Sequence, residues 1–204
     1  MEPTPTVYLV DDDAAYLRSL SRMLRASGYT VVMHNAPAEF LAELRPESCG
    51  CVVTDLQMPG IDGLALQEQL HQRGNPLPII FLSGHGDIPT TVKAMRGGAD
   101  DFLTKHAPKE DILAAVDRAL AHDAKDRAER ARLAALRQPF ELLSTREREV
   151  LDHVVQGQLN KQIASDLGVH ERTVKLHRAN LCHKLGVHSV AELTRLAQDA
   201  GVLR

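Results

Sequence analysis

The sequence predicts an α/β fold, a doubly wound five-stranded parallel sheet, joined by a helical linker to a small all-α domain. Three observations carry this. Five short apolar, β-branched runs alternate with stretches of helical spacing before Glu110. From Glu110 a run without Gly or Pro continues to Pro139, and beyond it the apolar spacing is helical, punctuated by Gly157 and Gly168. At 204 residues the chain is long for one small domain and comfortable for two. The expected division is 1–121 for the sheet domain, 122–140 for the linker and 141–204 for the helical domain.

Taken in order, the first strand covers residues 7–10 and ends in Asp11-Asp12-Asp13. Asp13 is placed to cap a helix opening at Ala14, in which Leu17, Leu20 and Leu24 recur up to Ser27-Gly28. A strand over 30–34 follows, then a short helix marked by Phe40, Leu41 and Leu44. The third strand, 51–55, ends in Asp55 and is stopped by Pro59-Gly60. Leu64, Leu66 and Leu70 mark a helix ended by Gly74-Asn75-Pro76, and 78–83 is a buried strand ending in Ser83. Gly84-His85-Gly86-Asp87 forms a loop, 88–96 a helix closed by Gly97-Gly98, and 101–105 a strand ending in Lys105. Such alternation implies parallel strands with right-handed crossovers.

Composition narrows the function. No run of eighteen apolar residues exists and the first residues lack a secretory pattern, so a cytoplasmic protein with no membrane partner is expected. Cys49, Cys51 and Cys182 lack metal-ligand spacing and read as reduced, buried thiols. The ten His residues form no acid-backed i, i+4 pair, which argues against zinc. The net charge of −3 is divided: residues 1–121 carry 16 acids and 10 bases, 122–137 carry 3 and 5, and 138–204 carry 8 and 9. Only the C-terminal part would welcome a polyanion. There Arg172, Lys175, Arg178 and Lys184 crowd one helix against Glu171.

A doubly wound sheet binds ligands at the carboxyl ends of its strands, so residues scattered in sequence converge on one edge. Here that edge offers Asp11, Asp12 and Asp55, the Ser83 hydroxyl and the Lys105 ammonium. Clustered carboxylates repel unless a hard cation lies between them, and Mg²⁺ takes a few carboxylates plus water and phosphate oxygens. The alternative is that the acids only cap helices, a reading that suits Asp13. Acids for Mg²⁺, a hydroxyl and a fixed cation together make a site for a phosphoryl group.

The motifs Val10-Asp11-Asp12, Thr54-Asp55-Leu56-Gln57-Met58-Pro59-Gly60, Ser83-Gly84-His85-Gly86-Asp87 and Phe102-Leu103-Thr104-Lys105 resemble the receiver domain of two-component response regulators, over roughly residues 5–121. The resemblance implies a flavodoxin-like fold in which Asp55 accepts a phosphoryl group from a sensor histidine kinase. It implies that Asp12, Asp55 and the Gln57 carbonyl hold Mg²⁺, with Asp11 acting through water. Lys105 would pair with the acyl phosphate, Ser83 would swing towards it and Phe102 would turn inward. The family's Lys is normally followed by a cis proline, whereas His106 stands here. A cis bond before a non-proline residue costs about 2.5–4 kcal/mol, so Lys105 either endures that cost or reaches the site from a rearranged loop. Ala107 stands where relatives often carry an aromatic residue that contributes to a dimer contact.

Beyond Ala121 the stripe thins to alanine, and Asp123–Arg127 and Asp126–Arg130 are spaced i, i+4, as in a solvated helical spacer that holds the domains apart. Leu143-Ser144 and Glu147 then open four short helices with a capping box. Val150, Leu151, Val154 and Val155 face inward on the first, and Ile163, Ala164 and Leu167 on the second. Gly168 turns into a basic helix over Glu171–Leu185, a helix-turn-helix pattern that periodicity alone does not separate from an ordinary bundle. The motifs Leu143-Ser144-x-Arg146-Glu147-x-Glu149-Val150-Leu151, Asn160-Lys161-x-Ile163-Ala164 and Arg172-Thr173-Val174-Lys175-x-His177-Arg178-Ala179-Asn180 resemble the LuxR-type helix-turn-helix of the FixJ/NarL subfamily. The resemblance implies that Lys175, Leu176, Ala179 and Asn180 meet bases. Arg172 adds to the basic face, while Thr173, His177, Arg178, Lys184, Asn160 and Lys161 meet phosphates. It also implies a dimer contact through Val190 and Leu193 of the last helix.

The expected function is that of a transcriptional regulator, an activator, whose phosphorylation promotes dimerisation and promoter binding. The expected partners are a sensor histidine kinase, double-stranded promoter DNA and RNA polymerase. It would not be an enzyme beyond slow autodephosphorylation. A phosphatase of the haloacid dehalogenase kind would need a second Asp at position 57, which is Gln. A nucleotide-binding enzyme would need a Gly-rich turn after the first strand. A regulator that has lost its need for phosphorylation is disfavoured by the intact Asp12, Asp55, Ser83 and Lys105.

Overall fold

The structure is a computed structural model that describes residues 4–74, 77–84 and 88–203. The chain divides into two compact units, residues 1–126 and 127–204. In the first, β1 (Thr6–Val10), β2 (Thr30–His34), β3 (Gly50–Asp55), β4 (Ile79–Ser83) and β5 (Asp101–Thr104) alternate with α1 (Ala14–Ala26), α2 (Pro37–Glu43), α3 (Gly63–Gln72), α4 (Ile88–Arg96) and the start of α5 (Lys109–Glu141). The five strands are parallel in the order β2-β1-β3-β4-β5.

The period-two geometry of strands sorts side chains onto two faces. Val7, Leu9, Cys51, Val53, Ile80 and Leu82 pack with α1 and α5 through Leu17, Leu24, Ile112 and Val116. Val10, Val52, Ile79 and Phe81 pack with α2, α3 and α4 through Phe40, Leu66, Leu70 and Ala94. Both faces are covered, which is why the strands read as continuous apolar runs. Chain order reverses between β1 and β3, and Val10 pairs with Thr54, so Asp11 and Asp55 lie side by side at the carboxyl edge. Asp13 caps α1, its carboxylate accepting from the amides of Ala15 and Tyr16. Cys49 and Cys51 are buried, which pushes the Cys51 thiol up to about 12, and Cys182 is half-buried.

Three sequence expectations are corrected. The last strand stops at Thr104, so Lys105 starts the loop that follows. The long helix does not stop at Pro139 but runs through it to Glu141. A proline within a helix removes one hydrogen bond, and burial of Phe140 in the second unit's core offsets the loss. Asp123 is not a solvated spacer residue: it is 2% exposed and accepts from the Gly50 amide at 2.9 Å. Next to it, His122 Nδ1 lies 2.6 Å from Asp100, whose hydrogen bond holds the imidazole above its ordinary range.

In the second unit, α6 (Thr145–Val155), α7 (Asn160–Leu167), α8 (Glu171–Leu185) and α9 (Val190–Asp199) enclose Val150, Leu151, Ile163, Val174, Leu181 and Leu193. The capping box at Ser144 and Glu147 is formed. Gly168, at φ +64°, ends α7 in the left-handed conformation that lets the chain turn sharply into α8.

Candidate functional site

Asp55 ends β3 and is 8% exposed. One carboxylate oxygen accepts from the amides of Leu56 at 2.6 Å and Gln57 at 3.4 Å. The other accepts from Lys105 Nζ at 2.8 Å, and the same ammonium lies 2.6 Å from Asp11. Asp11, Asp12 and Asp55 each bring one carboxylate oxygen within 4.8 Å of the others. Asp11 and Asp55 are buried, and exposed Asp12 opens on a cleft lined also by Leu56, Gln57, Met58, Asp62 and Thr90. Three carboxylates against one ammonium leave negative charge at a spot built from hard oxygen donors, a donor set that fits Mg²⁺.

Burial raises the Asp11 carboxyl above its ordinary range despite the bond from Lys105 and the Asp13 amide. Burial alone would lower the Lys105 ammonium, but its bonds to Asp11 and Asp55 together outweigh that and hold it raised. Lys105 thus stays charged between two acids. The Lys105–His106 bond is trans, so the lysine reaches the acids without the cost of a cis bond. The Lys105 amide donates to the Ser83 carbonyl at 2.9 Å, which ties that loop to the end of β4. Ser83 is buried at the same edge, and Phe102 is half-buried with its ring 6.1 Å from that of Phe81. His85, Gly86 and Asp87 of the predicted loop lie outside the described residues, as do Asn75 and Pro76.

A second constellation lies on α8. Val174, Leu181 and Leu185 point into the core, while Arg172, Lys175, Leu176, Ala179 and Asn180 share the exposed side at helical spacing. Leu176 is 58% exposed among them.

The comparisons with known proteins decide the family. The response regulator receiver domain matches residues 7–117, and the luxR family of bacterial regulatory proteins matches residues 141–197. The chain is 42% identical over 192 residues to the response regulator protein TodT of Pseudomonas putida, covering 94% of this chain and 85% of that one. It is 42% identical to the transcriptional regulatory protein FixJ of Azorhizobium caulinodans, covering 96% and 93%. The chain belongs to the response regulators. Among solved structures, that of response regulator StyR aligns with a TM-score of 0.80 at 42% identity, covering 96% of this chain and 99% of that one. Full-length FixJ from B. japonicum aligns at 0.59 with 36% identity, covering 99% and 100%. This response regulator therefore carries a receiver domain and a LuxR-family DNA-binding domain, the composition of a two-component transcriptional regulator. Among the described residues no helix is long and apolar enough to cross a membrane.

Within this regulator the expected residues fall into three groups. Asp11, Asp12, Asp55 and Lys105 converge at one edge, with Ser83 beside them and Gln57 on the adjoining cleft. On the DNA-binding domain, Arg178 is half-buried and donates to the Asn160 side chain at 2.6 Å, which joins α8 to the start of α7, while Lys161 is exposed. Thr173 and His177 are half-buried on α8. Two of the expected residues are engaged within the domain. Lys184 is exposed but bonds Glu147 at 2.7 Å and the Leu142 carbonyl at 3.1 Å, because Glu147 is buried and draws a counter-charge. Leu193 is 1% exposed in the core and leaves Val190, 41% exposed, as the accessible apolar residue of that pair.

Sequence reasoning missed Tyr16, whose ring lies 4.8 Å from the Lys105 ammonium. Its partner is 89 positions away, and no local pattern marks the pair. Gly63 was also missed: Asp62 marks the start of a helix, but the close approach of Gly63 to the Asp55 main chain arises only when α3 packs on the sheet.

Proposed function

We propose that Asp55 accepts a phosphoryl group from the phosphohistidine of a sensor kinase. One observation supports this above others: a buried aspartate at the β1/β3 crevice shares a lysine with a second acid, and a third acid opens on solvent. An Asp55 oxygen forms the new P–O bond as the donor's histidine nitrogen leaves. Asp12, Asp55 and the Gln57 carbonyl would hold Mg²⁺, with Asp11 acting through water. Mg²⁺ supplies charge stabilisation for the transferred oxygens. Lys105 moves from carboxylates to the phosphoryl group, and Ser83 donates to it. Phe102 turns inward in response.

The output is DNA binding as a dimer. Ile88, Val92 and Met95 form an exposed apolar row at i, i+4, i+7 on α4, which supports a receiver–receiver contact. Phosphorylation promotes that pairing, and paired domains then hold two half-sites of promoter DNA. Lys175, Leu176, Ala179 and Asn180 on the exposed α8 face read bases in the major groove, with Arg172, Lys161 and the Arg178–Asn160 pair on phosphates. At the promoter the regulator acts as an activator on RNA polymerase. Its own chemistry is limited to accepting the phosphoryl group and losing it slowly.

Incubation with acetyl phosphate tests the reading. Wild-type protein should form an acid-stable, base-labile product only with Mg²⁺, and Asp55→Asn should not. Labelling that persists in Asp55→Asn would overturn the assignment.

A further inference from the structure

Tyr16 lies in the first turn of α1, where Asp13 accepts from its amide at 3.1 Å. Its side chain meets Lys105 in two ways. The phenolic hydroxyl donates to the Lys105 main-chain carbonyl at 3.4 Å, and the ring face lies 4.8 Å from the ammonium. That carbonyl belongs to the trans Lys105–His106 peptide. On the other side of the lysine, its amide donates to Ser83, and the Ala107 amide closes a turn on the Thr104 carbonyl at 2.9 Å. These bonds fix the backbone. They do not fix a flexible four-carbon stem that ends in a strongly hydrated point charge.

Two carboxylates hold the Lys105 ammonium, and Tyr16 adds a further contact to it. Its ring is held by packing against the core that contains Leu17, Ile112 and Val116, and it forms an apolar wall beside an ammonium whose side chain is 16% exposed. A ring quadrupole attracts a cation most when both are partly desolvated, as here. We propose that Tyr16 is a positioning residue for Lys105, using its hydroxyl on the carbonyl and its ring on the ammonium to keep the charge between Asp11 and Asp55. The role rests on the reading that Asp55 takes the phosphoryl group.

The test uses the full-length chain with acetyl phosphate and Mg²⁺, following the initial rate of Asp55 labelling. Tyr16→Leu should slow the rate about three- to tenfold, the range of one partly desolvated cation–π contact. Tyr16→Phe, which keeps the ring, should retain most of the rate. In a Lys105→Ala background Tyr16→Leu should have no further effect, because its contribution passes through the lysine. A second readout is independent of chemistry: the Lys105 ε-methylene protons should show a ring-current shift to high field in wild type and Tyr16→Phe. Equal rates for wild type and Tyr16→Leu, additive losses in the double variant, or no ring-current shift would each overturn the proposal. If wild type takes no label at Asp55, the phosphoacceptor reading fails instead, and the wild-type ring-current shift still decides whether Tyr16 holds Lys105. That shift also decides it if Tyr16→Leu fails to fold.

Discussion

Replacing Gly63 by alanine should destabilise the receiver domain, although alanine is the better helix former. A Cβ at position 63 would fall 2.5 Å from the Asp55 main-chain oxygen, 2.9 Å from Phe81 Cε1 and 3.0 Å from Leu56 Cα. Two of these three atoms belong to the backbone and cannot rotate away. The Gly63 amide also donates to the Leu56 carbonyl at 2.9 Å, which fixes the start of α3 against the strand that carries Asp55. Alanine gains about 0.5–1 kcal/mol in helix propensity, while overpacking costs roughly 1–3 kcal/mol. The two ranges leave a net loss centred on about 1.2 kcal/mol, which at a slope near 2 kcal/mol/M lowers the urea midpoint by roughly 0.6 M. Tyrosine fluorescence isolates the effect, because Tyr8, Tyr16 and Tyr29 all lie in the first unit and the chain has no Trp. Phosphorylation of Asp55 should slow in parallel, since the new methyl presses on that residue's carbonyl. An unchanged or raised midpoint would refute the close-approach account and leave helix propensity as the dominant effect.

Two further predictions concern the DNA-binding domain. The Lys184 hydrogen bond and then the Ser144 amide hold the Glu147 carboxyl below its usual range. A depressed folded value means the stability it contributes is present above the unfolded value near 4.3 and is lost as pH falls through the folded one. Amide NMR signals from α6 and α8 should therefore vanish at a higher pH in wild type than the loss of packing alone would give, and Glu147→Gln should show a shallower acid transition from a lower starting stability. Leu193→Ala should cost about 2–5 kcal/mol, as for a buried leucine, whereas Val190→Ala should leave thermal stability nearly unchanged. Equal effects of the two would show that Leu193 is not held in the core as described.

The elements of this chain were legible where a residue's environment is set by its near neighbours in sequence. Strands buried on both faces read as apolar runs, and the caps at Asp13, Ser144 and Gly168 each act within four residues of themselves. The acid cluster was legible as well, because a doubly wound sheet must bring Asp11, Asp12 and Asp55 to one edge. What stayed hidden were partnerships fixed only once helix faces meet. Asp123 read as half of an i, i+4 pair, but the rotation of α5 that buries Val116 and Ala119 also turns Asp123 onto Gly50. Tyr16 read as an ordinary helix residue until α1 docked beside the Lys105 loop. Phe140 was hidden behind Pro139, which reads as a stop.

The cations of α8 show the same limit, with a consequence for DNA binding. In sequence, Arg172, Lys175, Arg178 and Lys184 form one basic face; folded, they have different tasks. Lys184 neutralises buried Glu147, and Arg178 fixes Asn160. Lys175 pairs with Glu171 at 3.0 Å, but both side chains are largely exposed, and such a pair is worth only about 0.3–0.5 kcal/mol, so DNA displaces it easily. On the proposed reading, exposed Arg172 and Lys161 join the Arg178–Asn160 pair in the unspecific attraction to phosphates. Each phosphate neutralised adds about 0.9 to the salt slope, so Arg172→Ala and Lys161→Ala should each lower that slope by about one unit across all sequences. Lys175→Ala should instead cost roughly 1–3 kcal/mol at particular base pairs. Lys184→Ala should weaken binding only as far as it destabilises the domain, with the slope unchanged. A full unit lost from the slope in Lys184→Ala would mean that DNA draws this lysine away from Glu147, and that the ion pair seen here belongs to the unbound state alone.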